Sequence, residues 1–428
     1  MEPGKTAGKF QGNISRVLTS FESPDFRYIW VHFLFNFVAM DMLMLTQGWL
    51  VWESTHSVFL VGAVAGIRGV GQFSFGALGG VIADRYNRRL ILTISQFVRA
   101  ASCLCLGLLI ISNHVEVWHM LVFSGIQGIV MGALLPASET LVFDIVGPKR
   151  IINAAAIKHG AYSISRIPSA LLFGFIVSSI GTGPCFLFIA IVTLLSPIPL
   201  FWMAIQYSKP PRTDGIWETL KFGLTYAGNN SSIRSLLLFS VVVELFGFSY
   251  FIMLPVMADL VLHSGAWGLT MLSLSGSVGG ILATVLFASV TNIKKGESTQ
   301  VGFHWLSFDR TMLVMITGIA TGLSIIFFAT SSWMQLSLIL AVFVGGSLVS
   351  YDTSMGTLIQ ILSDDAVRGR MMGLYGLTFG FTPVGGFLNG TLAAYTNPQL
   401  ALGLGGVLIL IFTAGILLPT RSLWNHRN

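Results

Sequence analysis

Residues 79–89 read GGVIADRYNRR. The stretch before them, VGAVAGIRGVGQFSFGAL at 61–78, is small and apolar apart from Arg68, Gln72 and Ser74, and apolar sequence resumes at Leu90. Asp84, Arg85, Arg88 and Arg89 thus form a knot of charge between two runs that are each long enough to cross a bilayer, for which about 20 apolar residues suffice. Such a knot marks a tight hairpin between two membrane spans. The arginines suit any hairpin held on the cytoplasmic side. Asp84 does not follow from that rule, because an acid contributes little to it.

Working outward, composition makes the same argument for the whole chain. Of 428 residues 54% are hydrophobic and only 10% are charged, with a mean hydropathy of +0.77. Soluble domains carry about 25% charged residues, so this chain lacks the polar surface a soluble domain of its size needs. Twelve spans are predicted, at 27–52, 57–83, 89–112, 117–144, 153–180, 184–206, 235–260, 267–290, 311–330, 333–362, 370–395 and 399–419. Residues 1–24 are polar and lack an apolar core segment, so the expectation is no cleavable signal, with the first span inserting itself. The three cysteines, Cys103, Cys105 and Cys185, lie inside apolar runs and suggest neither a disulfide framework nor a metal cluster.

The net charge of +6 is not spread as a nucleic-acid surface would be. Lysines and arginines fall before span 1, in alternate connections (Arg85, Arg88, Arg89; Lys149, Arg150; Lys209 to Arg234; Lys294, Lys295, Arg310; Arg368, Arg370) and after span 12. The other connections hold none. This alternation predicts both termini in the cytoplasm and an even number of spans. Trp49, Trp52, Trp118, Trp267 and Trp333 fall at predicted outer ends, where an aromatic belt is expected.

The longest polar connection divides the chain into a segment 1–26, a first bundle 27–206, a loop 207–234 containing the amphipathic stretch IWETLKFGL, a second bundle 235–419 and a tail 420–428. The halves match one another. HSVFLVG at 56–62 opens span 2 and HSGAWG at 263–268 opens span 8. Arg88 and Arg89 lie 26 and 27 positions after Gly62, as Lys294 and Lys295 do after Gly268. Internal repeats of this kind accompany secondary transporters.

GGVIADRYNRR resembles the signature of the major facilitator superfamily between helices 2 and 3, with Gly80, Ile82, Ala83, Asp84, Arg85, Arg88 and Arg89 in place. Asn87 stands where the family usually has glycine, and asparagine tolerates the left-handed turn expected there. WLVWESTHS, DIVGPKRIINAAA and RGRMMGLYGLTFGFTPVGG extend the resemblance to the branch of drug and siderophore exporters that includes the enterobactin exporter and macrolide efflux proteins. SRIPSALLFG in span 5 lacks the Gly-Pro pair usual in exporters. The resemblance implies an all-α membrane protein of twelve transmembrane helices in two pseudo-symmetric six-helix bundles, working by alternating access.

It also implies roles. Gly80, Asp84, Arg85, Arg88 and Arg89 would form a conformational latch, with Asp84 paired to Arg88 and facing the N-terminus of helix 11, where the helix dipole favours an acid. Val290 stands in the second half where Asp84 stands in the first. Asp41, Glu139, Glu244 and Asp352 each lie in the first helix of a three-helix repeat, and by resemblance those helices line the cavity. A carboxylate there can carry a proton or attract a cation, although Glu139 and Asp352 lie toward the inner ends and also suit an interfacial or gating role. Arg68, Arg99, Lys158 and Arg166 all fall within first-half helices. Internal pairing that neutralises Asp41 and Glu139 is the plainer reading, and an anionic or catecholate-like substrate held by Arg68 or Arg166 is the sharper one. Arg99 reads as a structural partner.

The sequence therefore predicts a secondary transporter, not an enzyme, exporting a small amphiphilic molecule of drug or siderophore type in exchange for protons, with the proton gradient as energy source and no cofactor. Its expected partners are that small molecule and membrane lipid, and its expected state is a monomer in a bacterial inner membrane. An uptake symporter or uniporter, or a receptor or lipid flippase on the same fold, are the alternatives.

Overall fold

Within an apolar slab only a helix pairs every backbone N–H and C=O inside its own segment, and the chain follows that rule. The computed structural model describes residues 19–147, 150–204, 216–290, 310–364 and 367–417, and among these no strand occurs. The membrane helices are α1 (Pro24–Thr55), α2 (Val58–Arg85), α3 (Arg88–Ile111), α4 (Val117–Val146), α5 (Ile151–Ile180) and α6 (Thr182–Trp202, its last turns 3₁₀) in the first bundle. The second bundle holds α7 (Ser231–Val261), α8 (Gly265–Val290), α9 (Arg310–Thr330), α10 (Met334–Leu362), α11 in two pieces (Arg368–Thr378 and Phe381–Tyr395) and α12 (Pro398–Phe412). A linker helix, Ile216–Asn229, connects them.

Helix starts follow from short polar side chains that satisfy free N–H groups. Ser57 accepts from the Leu60 amide at 3.3 Å, Asn230 from Ile233 at 3.1 Å and Asn397 from Leu400 at 2.7 Å. Asn87 belongs to this set. It is extended (φ −63°, ψ 115°), not left-handed, and its side chain accepts from the Arg89 amide at 3.0 Å. The departure from glycine thus supplies a cap for α3.

Within each bundle the same pair packs most closely, α2 on α4 and its counterpart α8 on α10. Both pairs meet through glycines, Gly71, Gly79, Gly128 and Gly132 in the first and Gly279 and Gly345 in the second. Small residues let helix backbones approach where hydrophobic burial offers no gain over lipid. Between bundles the most extensive contacts are α2 with α11 and α5 with α8, and smaller ones join α1 and α2 to α7.

The α2–α11 seam is closed over only part of its length. A Cβ at Gly62 would meet the Gly386 carbonyl and Gly390; Gly66 faces Phe387, Gly69 faces Pro383, and Phe73 packs on Gly380 and Phe381. Past Phe73 the helices part: a Cβ at Gly76 meets nothing within 4 Å. The second piece of α11 carries the contact with α2, while the first piece packs on α7, α10 and the linker helix. Similarly Gly174 of α5 lies against Thr270 of α8, whereas Gly160 meets nothing within 4 Å. The bundles are therefore closed on the face of the His56, Gly181 and His263 turns and parted toward the basic face, which carries Arg85, Arg89, Arg150 and Arg368.

Three expectations change. Predicted span 11 is interrupted at Phe379–Gly380, where the seam ends, because Gly380 packs under Phe73 and Pro383, two residues into the next piece, has no N–H to continue the ladder. Span 6 starts at Thr182 and ends at Trp202 rather than running 184–206, its end set by Pro197 and Pro199. Of the expected belt, Trp118, Trp267 and Trp333 are exposed, but Trp49 and Trp52 are 7% and 3% exposed and belong to the core. Segments 1–18, 205–215 and 418–428, and with them most of the predicted N-terminal segment, about a third of the loop and the tail, lie outside the described residues.

Candidate functional site

The middle of the molecule gathers side chains that are costly in a bilayer. On the first-bundle side, Asp41 of α1 sits half-buried with Oδ2 enclosed and without a hydrogen-bond partner among the described residues. Arg166 of α5 is within its electrostatic reach. The Arg166 guanidinium lies over the Tyr162 ring at 5.9 Å and over Phe251 of α7 at 5.0 Å, so this cation spans the two bundles. Phe37 packs edge-on against Tyr162 at 5.3 Å. Arg68 of α2 is half-buried and forms no ion pair or hydrogen bond with a described residue.

The second bundle answers with acids and hydroxyls. Glu244 is 2% exposed and accepts a hydrogen bond from Thr382 of α11, next to that helix's break. It opens a π turn in α7, Glu244–Phe248; such bulges recur at functional sites. The Ser240 and Thr378 hydroxyls pair at 2.7 Å, and Asn389 donates to Ser249 at 2.7 Å. Asp352 of α10 accepts from the Tyr375 hydroxyl at 2.5 Å and is electrostatically coupled to Glu244. The middle of the molecule is thus polarised: on the first-bundle side Arg166 and aromatic rings stand with a single acid, Asp41, and on the second-bundle side two carboxylates stand with their hydroxyl donors.

Nearer the basic face, Glu139 pairs with Lys158 at 2.6 Å, and Lys158 also lies 4.8 Å over the Phe33 ring. Glu139 thus has a cation partner within the first bundle. Asp41 has no such bond, only the reach of Arg166. Arg99, 2% exposed, donates to Asn36 Oδ1 at 2.9 Å, which also accepts from Gln96 at 2.7 Å, the structural role expected of it.

Among the expected latch residues, Gly80 and the Asp84 side chain lie outside the described residues. Arg85 is exposed in the last turn of α2. Arg88, 3% exposed, pairs with Asp144 near the end of α4, and Arg89 donates to the Met203 carbonyl at 3.2 Å while lying 5.5 Å from the Phe201 ring. These two arginines tie α3 to α4 and to the end of α6, a bracing role that loop charge alone did not reveal. Sequence reading missed Asp144, Thr382 and Tyr375 as partners. DIVGPKR at 144–150 carried the first signal, an acid beside a basic loop where topology requires none.

This arrangement agrees with what the chain matches. The family described as transmembrane secretion effector, of major facilitator type, fits residues 15–423. The chain belongs to that family. Its members here are transporters rather than enzymes, and this one is an integral, multi-pass membrane protein. The enterobactin exporter EntS of Escherichia coli (strain K12 / MC4100 / BW2952) is 22% identical over 416 residues, 94% of each chain. The staphyloferrin A transporter of Staphylococcus aureus is 23% identical over 246 residues, 56% of this chain and 61% of that one. An uncharacterized transporter of Buchnera aphidicola is 28% identical over 179 residues, 41% and 42% of the two chains. The chain thus spans less than two thirds of these last two relatives and nearly all of the first. Among solved structures, the nucleoside transporter NupG superposes with a TM-score of 0.68 at 13% identity over 94% of this chain and 100% of that one. An inward-facing, unoccupied bacterial homolog of the human lysosomal transporter Spinster gives 0.66 at 14% identity over 94% and 97%. These two likenesses concern the fold.

Proposed function

We propose that this secretion-effector-family transporter exports a small anionic molecule bearing aromatic or chelating groups, of siderophore class, in exchange for protons. The polarised cleft carries the reading. Arg166, braced by two rings, and Arg68 offer guanidinium forks suited to carboxylate or phenolate oxygens. Glu244 and Asp352 on the facing wall hold protons that exchange as the cleft changes exposure. The names of the EntS and staphyloferrin A relatives favour the substrate class. With the basic face in the cytoplasm, as the charge alternation predicts, the parted bundles face the cytoplasm, the side on which an exporter loads. Alternating access then closes the basic face and opens the other. In this scheme Asp84, Arg85 and Gly80 govern the basic-face closure, and no cofactor is required.

The test is reconstitution into proteoliposomes with enterobactin or staphyloferrin A as probe. Under an imposed pH gradient the wild type should move the probe against its concentration gradient, while Glu244→Gln should lose the response to the gradient yet retain exchange at equal pH. Movement by the wild type that ignores the pH gradient would refute proton coupling. Accumulation on the cytoplasmic side would refute export in favour of uptake.

A further inference from the structure

Among the described residues the closed face is held mainly by glycines and apolar side chains, with one side-chain hydrogen bond between the bundles. Trp52, near the end of α1, donates its indole N–H to Asp259 Oδ2 of α7 at 2.8 Å. This side-chain hydrogen bond joins the two bundles directly. Both partners are held for the task. Trp52 is 3% exposed and its ring meets His56 edge-on at 5.5 Å. Asp259 lies in the second π turn of α7, Met257–Val261. A π turn inserts a residue into the helix and so changes the direction in which the side chains within it project.

The surroundings repeat the internal symmetry. His56 ends α1 with φ 46° and His263 closes α7 with φ 48°, both in the left-handed region that non-glycine residues seldom adopt. These two histidines, Trp52, Asp259, Val58 and Leu260 line a cavity of about 540 Å³ at the closed mouth. Glu53, next to Trp52, accepts from Thr182 at 2.6 Å and ties this end of α1 to α6. The donor is therefore fixed to one bundle and the acceptor to the other.

We propose that the Trp52–Asp259 hydrogen bond is the latch of the closed face, and that Trp52 and Asp259 position the bundles for the transport cycle without touching the substrate in the central cleft. The bond must break each time this face opens. A hydrogen bond to a charged acceptor is among the stronger single contacts available, so its loss shifts the ratio of open to closed molecules by roughly 10- to 100-fold. The inference rests on the alternating-access reading.

The experiment places nitroxides at Ser112 and Thr396, exposed on opposite bundles at this face, on a background lacking the native cysteines, and reads their distance distribution by pulsed dipolar spectroscopy. Trp52→Phe and Asp259→Ala should each enrich a longer distance by tenfold or more, and the double variant should add little, because both single changes break the same bond. Trp52→Phe keeps an aromatic ring in the packing, so it reports on the bond even if Asp259→Ala fails to fold. Unchanged distributions in both single variants, or full additivity in the double, would overturn the latch. A wild type locked at one distance under every ligand and pH condition would instead overturn alternating access.

Discussion

Gly62→Ala should push this same face open, for a reason that can be sized from the backbone. A Cβ at residue 62 lies 2.7 Å from the Gly386 carbonyl oxygen, 2.9 Å from Gly390 Cα and 3.3 Å from Phe387 Cα. All three are backbone atoms of α11, so no side chain can swing away. Ordinary contact begins near 3.4 Å, leaving a deficit of 3.4 − 2.7 = 0.7 Å that only a separation of α2 from α11 removes. Overpacking of this kind costs about 1–3 kcal/mol, which shifts the ratio of closed to open molecules by roughly 5- to 150-fold. The gain in helix propensity from alanine, about 0.5–1 kcal/mol, applies to open and closed forms alike and cancels in that ratio. The Ser112–Thr396 nitroxide pair reads the shift. Gly76→Ala is the matched control, because its Cβ meets nothing within 4 Å. A wild-type distribution in Gly62→Ala, or equal widening in Gly76→Ala, would refute the reasoning.

Removing Asp144 deprives the buried Arg88 of a charged partner, so Asp144→Ala should lower stability by about 2 kcal/mol, read as an earlier thermal transition in detergent, with Asp144→Asn losing less because an acceptor remains. Glu139→Gln should cost under about 1 kcal/mol by the same measurement, since the Glu139 side chain is 59% exposed and its pair with Lys158 is water-screened. The Asp364 carboxylate accepts the Tyr226 hydroxyl proton at 2.8 Å and holds that phenol above its ordinary range. This anchor of the linker helix is therefore fully present below about pH 10 and is lost as pH rises through the raised value. Proteolysis at Lys221 should increase above that pH in the wild type, and Tyr226→Phe should be cut more readily at pH 8 with no further alkaline step.

The architecture was legible in the sequence because a bilayer leaves few solutions: apolar runs must be helices, and alternating basic loops set their count. The cleft was half legible. Asp41, Glu244, Asp352 and Arg166 stand out in a string of apolar residues, and each lies near the middle of the molecule. Their partners do not stand out. Thr382 and Tyr375 are ordinary residues for a membrane helix, and their importance comes from packing between helices more than 130 and 20 positions apart in the chain. The break in α11 was hidden for a similar reason: TFGFTPVGG at 378–386 is apolar enough to span, and its interruption depends on Phe73 of another helix. Trp52 was misplaced because an aromatic residue at a helix end reads equally well as a lipid anchor or as a tertiary donor.

The interruption of α11 has a mechanical consequence. Its first piece, 11 residues long, is a lever about 16 Å in length at 1.5 Å per residue, pivoting at Phe379–Gly380. A bend of about 20°, the size of a modest helix kink, carries its Arg368 tip sideways by about 5–6 Å, close to one helical pitch. Such a bend would carry the linker helix with that tip, since Gly223 rests beside Leu374 and Tyr226 is bonded to Asp364. Meanwhile the 15-residue piece beyond the pivot stays docked on α2. The basic mouth can thus narrow by flexing a single rod, with the opposite seam undisturbed, so the two gates need not move in the same instant.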